Sequence, residues 1–197
     1  MRSRRTHGLR YAVLVMLLAS LGAVVMPSTA EVAQASTACA SRVAFRPVAA
    51  HVPALNRTIR VISVARTAAG AMGAPPLTTS GKQIFGWDHF VRPGGGVGSV
   101  VLDAHTWPDG SALGNALLGR LRVGARVTLR GASGQVRCYR IVQRASYLRW
   151  LAPLSRITRL AGPEQLAIIV CSGRRLGPGD WQSRTVWYGV PDLRANP

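Results

Sequence analysis

Gln165-Leu166-Ala167-Ile168-Ile169-Val170-Cys171 is the stretch on which the fold turns. It is short, apolar and rich in β-branched residues, which predicts a buried strand with a thiol at its end. Residues 172–182 follow as a loop with two Gly-containing breaks, and Arg184-Thr185-Val186-Trp187-Tyr188-Gly189-Val190 reads as a final strand. A strand–loop–strand unit bends back on itself, so Cys171 and Arg184 are expected to be neighbours. Upstream, Ser99-Val100-Val101-Leu102-Asp103-Ala104-His105 is a second apolar strand, ending at a histidine.

The flanking segments extend this pattern. Arg126-Val127-Thr128-Leu129-Arg130 alternates cleanly, residues 131–134 form a turn, and residues 135–144 return as the second arm of a hairpin. Ile59-Arg60-Val61-Ile62-Ser63-Val64 is a further strand. Ser111 is an expected N-cap for one short helix over residues 112–121, with Leu113, Leu117 and Leu121 on one face. Residues 146–164 are irregular, with room for one helical turn. Short strands, turn punctuation and a single clear helix predict an all-β barrel or sandwich.

Twenty-five basic residues stand against seven acidic ones, a formal net charge of +18. Lys82 is the only lysine; the other basic residues are arginines. Such a charge raises nucleic acid as a partner, but the arginines are dispersed and aromatics make up only 6% of the chain, so stacking platforms are scarce. No nucleic-acid partner is expected. Apolar residues at 48% exclude a disordered chain, and three cysteines are too few for a disulfide-dense miniprotein.

Residues 1–10 are basic, and residues 11–26, YAVLVMLLASLGAVVM, are uninterruptedly apolar. At ~1.5 Å per residue this helix spans about 24 Å, short of the ~30 Å hydrocarbon core. A secretory signal and a retained anchor both fit, and small-residue cleavage sites follow at Ser28-Thr29-Ala30 and Ala33-Gln34-Ala35. Either places the remainder outside the cytoplasm, at the cell membrane or in the envelope. The expected organisation is a basic N-terminus with a signal or anchor segment (residues 1–27), an Ala/Pro/Ser-rich linker (28–55) and a β-domain (56–197). Three cysteines in an oxidising compartment cannot all pair within one chain. Cys39 with Cys138 is one pairing, leaving Cys171 free; the sequence leaves the others open.

His105, Cys171 and Arg184 can together build a thiol catalyst. A cysteine nucleophile needs thiolate character, which an imidazole or a cation promotes. An arginine also donates to a developing oxyanion. His51 and His89 lack the strand-end setting of His105. There is no acidic cluster suited to calcium, so no metal and no cofactor is expected.

These residues resemble the sortases, exported cysteine transpeptidases, and among them the actinobacterial class E/F members. The resemblance runs over residues 57–190. It rests on Gly86-Trp87, on Pro93 and Gly98, and on Ala104-His105-Thr106. Leu117, Leu121, Val123-Gly124 and Arg126-Val127 continue it, as do Ile168-Ile169-Val170-Cys171 and Arg184. The resemblance implies a closed eight-stranded β-barrel with one or two short helices. It implies that Cys171 attacks a Thr–Gly bond of an LPXTG-like sorting signal, with His105 as acid/base partner and Arg184 holding substrate or oxyanion. An amine acceptor, such as a peptidoglycan precursor, then resolves the thioester. By position, Leu148, Leu151, Leu154 and Val170 correspond to groove contacts. The family commonly has threonines where this chain has Ala167 and Val170.

Two other readings compete. An L,D-transpeptidase also uses an exported thiol, but its motif places His and Gly just before the cysteine, where this chain has Ile169-Val170. The non-enzymatic alternative is an exported basic β-domain, a degenerate sortase that binds anionic envelope polymers.

Overall fold

A computed structural model describes Cys39, residues 41–68 and residues 70–193. The segment read as signal or anchor, most of the expected linker and the cleavage sites lie outside the described residues. No helix among the described residues is long and apolar enough to cross a membrane.

Eight strands close into a barrel: β1 (Pro47–Val52), β2 (Arg57–Val64), β3 (Phe85–Asp88), β4 (Ser99–Ala104), β5 (Arg126–Gly131), β6 (Val136–Leu148), β7 (Gln165–Gly177) and β8 (Asp180–Pro191). The order around the barrel is β1-β2-β3-β4-β7-β8-β6-β5, with β5 pairing back to β1. The pairs β2/β3 and β4/β7 are parallel and the rest are antiparallel. Helix α1 (Leu113–Arg120) follows β4, and a single helical turn, α2 (Leu154–Ile157), precedes β7.

The alternation of each strand sorts its side chains. On β4, Val100, Leu102 and Ala104 enter the barrel core, while Val101 packs outside with Ile157, Ala167, Ile169, Val186 and Tyr188. All six β4 residues are therefore buried, which is why the segment is apolar without visible alternation. Phe85, Trp87, Tyr139 and Trp187 fill the interior with the leucines of α1. The indole N–H of Trp187 donates to the Leu121 carbonyl (3.1 Å), tying the end of α1 to β8. Burying Leu113, Leu117 and Leu121 contributes roughly 1.5–3 kcal/mol each.

Four expectations change. The barrel begins at Pro47, inside the stretch read as linker. Ala50 pairs with both Ile59 and Leu129 and is fully buried. Alanine and proline there hide the β-signal that larger residues would give. Residues 172–182 are not a loop: β7 and β8 continue as a ribbon to a turn at Pro178-Gly179. The run Gly173-Arg174-Arg175 is polar because the ribbon projects past the barrel into solvent, while Ser172 is buried and accepts from Thr185 Oγ1. The return arm of the β5/β6 hairpin runs on to Leu148 rather than stopping near residue 144, because β8 stays paired with it as far as Ser183. Helix α1 is not capped by Ser111, whose side chain instead donates to Asp109. Asn115 accepts from the backbone N–H groups of Trp107 and Ala112, satisfying that end of the helix from within.

Candidate active site

β4 runs parallel to β7, and their pairing ends at Ala104 opposite Val170. The next residues, His105 and Cys171, therefore leave the barrel rim side by side. On the other flank of β7, Cys171 pairs in register with Arg184 of β8. Residues paired across an antiparallel ladder share a face. The topology thus brings His105, Cys171 and Arg184 together from three strands far apart in sequence.

All three line one groove of about 800 Å³. Its other walls include Met72, Pro75 and Leu77 from the β2–β3 connection, Trp107, Val170, and Trp181 from the ribbon. Val170 is among the residues that line the groove. Leu148, Leu151 and Leu154 do not line it; all three are exposed. Leu148 pairs with Ser183, so the segment after β6 starts across β8 from Cys171. The walls supplied by Met72, Pro75 and Trp181 carry no periodic signal in the sequence, being a Gly/Pro-rich connection and an isolated aromatic.

Local hydrogen bonds fix the reactive groups. His105 Nε2 lies 2.6 Å from the Pro75 carbonyl, which can only accept, so the proton sits on Nε2 and Nδ1 is the basic nitrogen. The Gly114 N–H donates to the His105 carbonyl (2.8 Å), and a Cβ at Gly114 would strike that carbonyl. Thr106 Oγ1 donates to the Cys171 carbonyl (2.6 Å), locking the histidine segment to the cysteine strand. Arg184 Nη1 donates to the carbonyls of Trp181 (3.2 Å) and Ser183 (3.0 Å). Those bonds hold the guanidinium in place with Nε and Nη2 unengaged among the described residues.

Burial pushes the Cys171 thiol up from its ordinary value; Arg184 pulls it down, and Asp103 and Asp180 push it further up. The resting group is the thiol, so its reaction needs a base nearby. Cys171 is the free cysteine of the chain, since Cys39 and Cys138 form a disulfide. That resolves the pairing the sequence left open. The set is suited to nucleophilic attack on a carbonyl: a thiol, an imidazole with one basic nitrogen, and a positioned cation.

Asp103 also lines the groove and escaped the sequence reading. Its signal was available, as the sole acid in the strand Ser99–Ala104.

No family model matches the chain, and no curated protein matches it in sequence. Solved structures do match. Streptococcus agalactiae sortase C1, in a complex with MTSET, aligns with a TM-score of 0.56 at 14% identity, over 77% of this chain and 72% of that one. Corynebacterium diphtheriae sortase A gives a TM-score of 0.56 at 14% identity, over 78% of this chain and 64% of that one. A Clostridium perfringens sortase D5 transpeptidase gives 0.52 at 10% identity, over 73% of this chain and 77% of that one. The closed eight-stranded barrel with two short helices is the sortase fold.

Proposed function

We propose that this protein is a sortase-type cysteine transpeptidase of the envelope. The observation that carries the reading is the shared groove, in which a free thiol stands between a histidine on one flanking strand and an arginine on the other. His105 takes the proton of Cys171, and Sγ attacks the carbonyl of the scissile peptide bond. Arg184 donates to the oxyanion of the tetrahedral intermediate. As the intermediate collapses, His105 returns the proton to the departing amine and a thioester remains on Cys171. An incoming amine attacks the thioester, His105 removes its proton, and the thiol is regenerated.

The substrate in this reading is an LPXTG-like sorting signal cleaved between Thr and Gly, and the acceptor is an envelope amine such as a peptidoglycan precursor. The basic and apolar N-terminal segment delivers the barrel outside the cytoplasm, anchored or secreted, and residues 57–190 resemble the actinobacterial class E/F members. Mass spectrometry of the purified protein exposed to LPXTG-like peptides and an amine tests the reading. An acyl adduct on Cys171 and an amine-ligated product are expected, both absent in Cys171→Ala. No adduct in the wild type, or equal cleavage by Cys171→Ala, would sink it.

One observation favours the binding-only alternative. Ala167 and Val170 stand where threonines are usual, so the groove lacks those hydroxyls beside the nucleophile. Salt-sensitive sedimentation with anionic envelope polymer, without peptide turnover, would identify a binder.

A further inference from the structure

We propose that Asp103 is a specificity-determining residue of the groove, and that the favoured peptide presents it with a neutral hydrogen-bond donor, a hydroxyl or a carboxamide. This rests on the peptide-binding reading of the groove.

Asp103 lies on the outer face of β4, paired with Gly86 of β3 on one side and Ile169 of β7 on the other. It is only 8% exposed, yet it lines the groove with His105 and Cys171. Its Oδ1 has no hydrogen-bond partner among the described residues. Leaving a buried polar atom unpaired is costly, and such atoms are rare in folded proteins. The space it occupies is made by Gly86: a Cβ there would collide with Oδ1 and press on Pro75. Gly86 thus leaves the space that Oδ1 fills, beside Pro75 of the groove wall.

The surroundings decide what kind of donor fits. Burial holds the Asp103 carboxyl well above the usual carboxylate range, its own backbone N–H opposes that, and Asp88 adds to it. Asp88 is itself paired with Arg66 at 2.6 Å. On the open side stand His105, Cys171, Arg175 and Arg184. Two arginines in the same groove repel a cationic substrate side chain. A neutral donor satisfies Oδ1 without bringing charge into the site. Asp103 is paired with Ile169, two positions before Cys171, or roughly 7 Å along the strand. An extended peptide covers that distance in about two residues, so the donor belongs within about two positions of the attacked carbonyl.

The test uses the full-length protein and LPXTG-like peptides carrying Thr/Val or Asn/Leu exchanges at single positions. Turnover is read with Cys171 intact, and affinity by fluorescence anisotropy with Cys171→Ala. At one position near the cleaved bond the hydroxyl or amide peptide should be favoured by about tenfold or more. Asp103→Leu should erase that ratio, Asp103→Ala should do so without added bulk, and Asp103→Asn should restore part of it. A purely structural role would change overall rates and leave the ratio alone. An unchanged ratio in both Asp103→Leu and Asp103→Ala overturns the inference, as does a wild type with no such preference. Preferential binding without turnover leaves Asp103 in this role and removes the transpeptidase reading. Turnover without preference does the reverse, and failure of both binding and turnover removes both.

Discussion

Cys171 and Arg184 face one another in register across β7 and β8, although thirteen residues separate them in the chain. The pairing sits just beyond the point where β4 leaves β7, so the arginine approaches the sulfur from the side opposite the histidine. Replacing Arg184 by Ala should lower kcat by about 10²–10³-fold. It should also move the alkylation profile of Cys171 with iodoacetamide to higher pH. The guanidinium favours the thiolate, so its loss pushes the thiol further up. An alkylation curve that stays in place would contradict this contact.

His105 joins two parts of the site, since its ring donates to Pro75 while its backbone segment is tied to Cys171 through Thr106. His105→Ala should reduce acyl transfer by about 10²–10⁴-fold. It should also loosen the β2–β3 connection, because the hydrogen bond to Pro75 contributes about 1 kcal/mol. Hydrogen exchange over residues 71–78 should rise in the variant while β4 and β7 remain protected. Unchanged exchange there would mean the ring does not hold the wall.

Glu164 organises the opposite side of the molecule. It accepts from Tyr139 Oη (2.6 Å), Arg137 Nε (2.9 Å) and the backbone N–H groups of Gly94 (3.3 Å) and Gly96 (2.7 Å). Burial pushes its carboxyl up, but bonds from Tyr139, Arg137 and Gly96 outweigh burial and hold it below the usual value. A depressed folded-state pKa contributes stability that is fully present above the unfolded pKa near 4.3 and lost as pH falls through the folded value. Glu164→Gln should destabilise by about 3–5 kcal/mol at neutral pH, because it strands Arg137 in a buried setting. Chemical denaturation across pH should show the acid limb flattened in the variant.

The Cys39–Cys138 disulfide closes a span of 99 residues. Removing it by a double Cys39→Ser, Cys138→Ser change should cost about 2–5 kcal/mol, mostly by releasing the unfolded chain. A lowered Tm with retained peptide turnover is the expected outcome. Under non-reducing conditions the native protein should present one thiol to a disulfide reagent, and peptide mapping should assign it to Cys171.

Legibility followed the local chemistry. The strands leading to His105 and Cys171 were readable because burial on both faces demands apolar side chains. β1 was not, because Pro47, Ala49 and Ala50 carry little β-propensity, and pairing with β2 and β5 makes the strand. The ribbon past Ser172 was read as loop because exposed strands carry polar residues and glycines. Leu148, Leu151 and Leu154 were assigned to the groove by position alone; all three are exposed and do not line it. The groove wall from residues 72–77 could not have been found locally, since its place depends on a parallel β2/β3 crossover.

The disulfide also fixes a direction. The Asp192 N–H donates to the Cys138 carbonyl, which puts the bridge beside the far end of β8, eight residues from Arg184. At ~3.3 Å per residue that is on the order of 25 Å. The chain therefore enters the barrel at the pole remote from the nucleophile. The bridge and the nucleophile thus belong to opposite ends of β8.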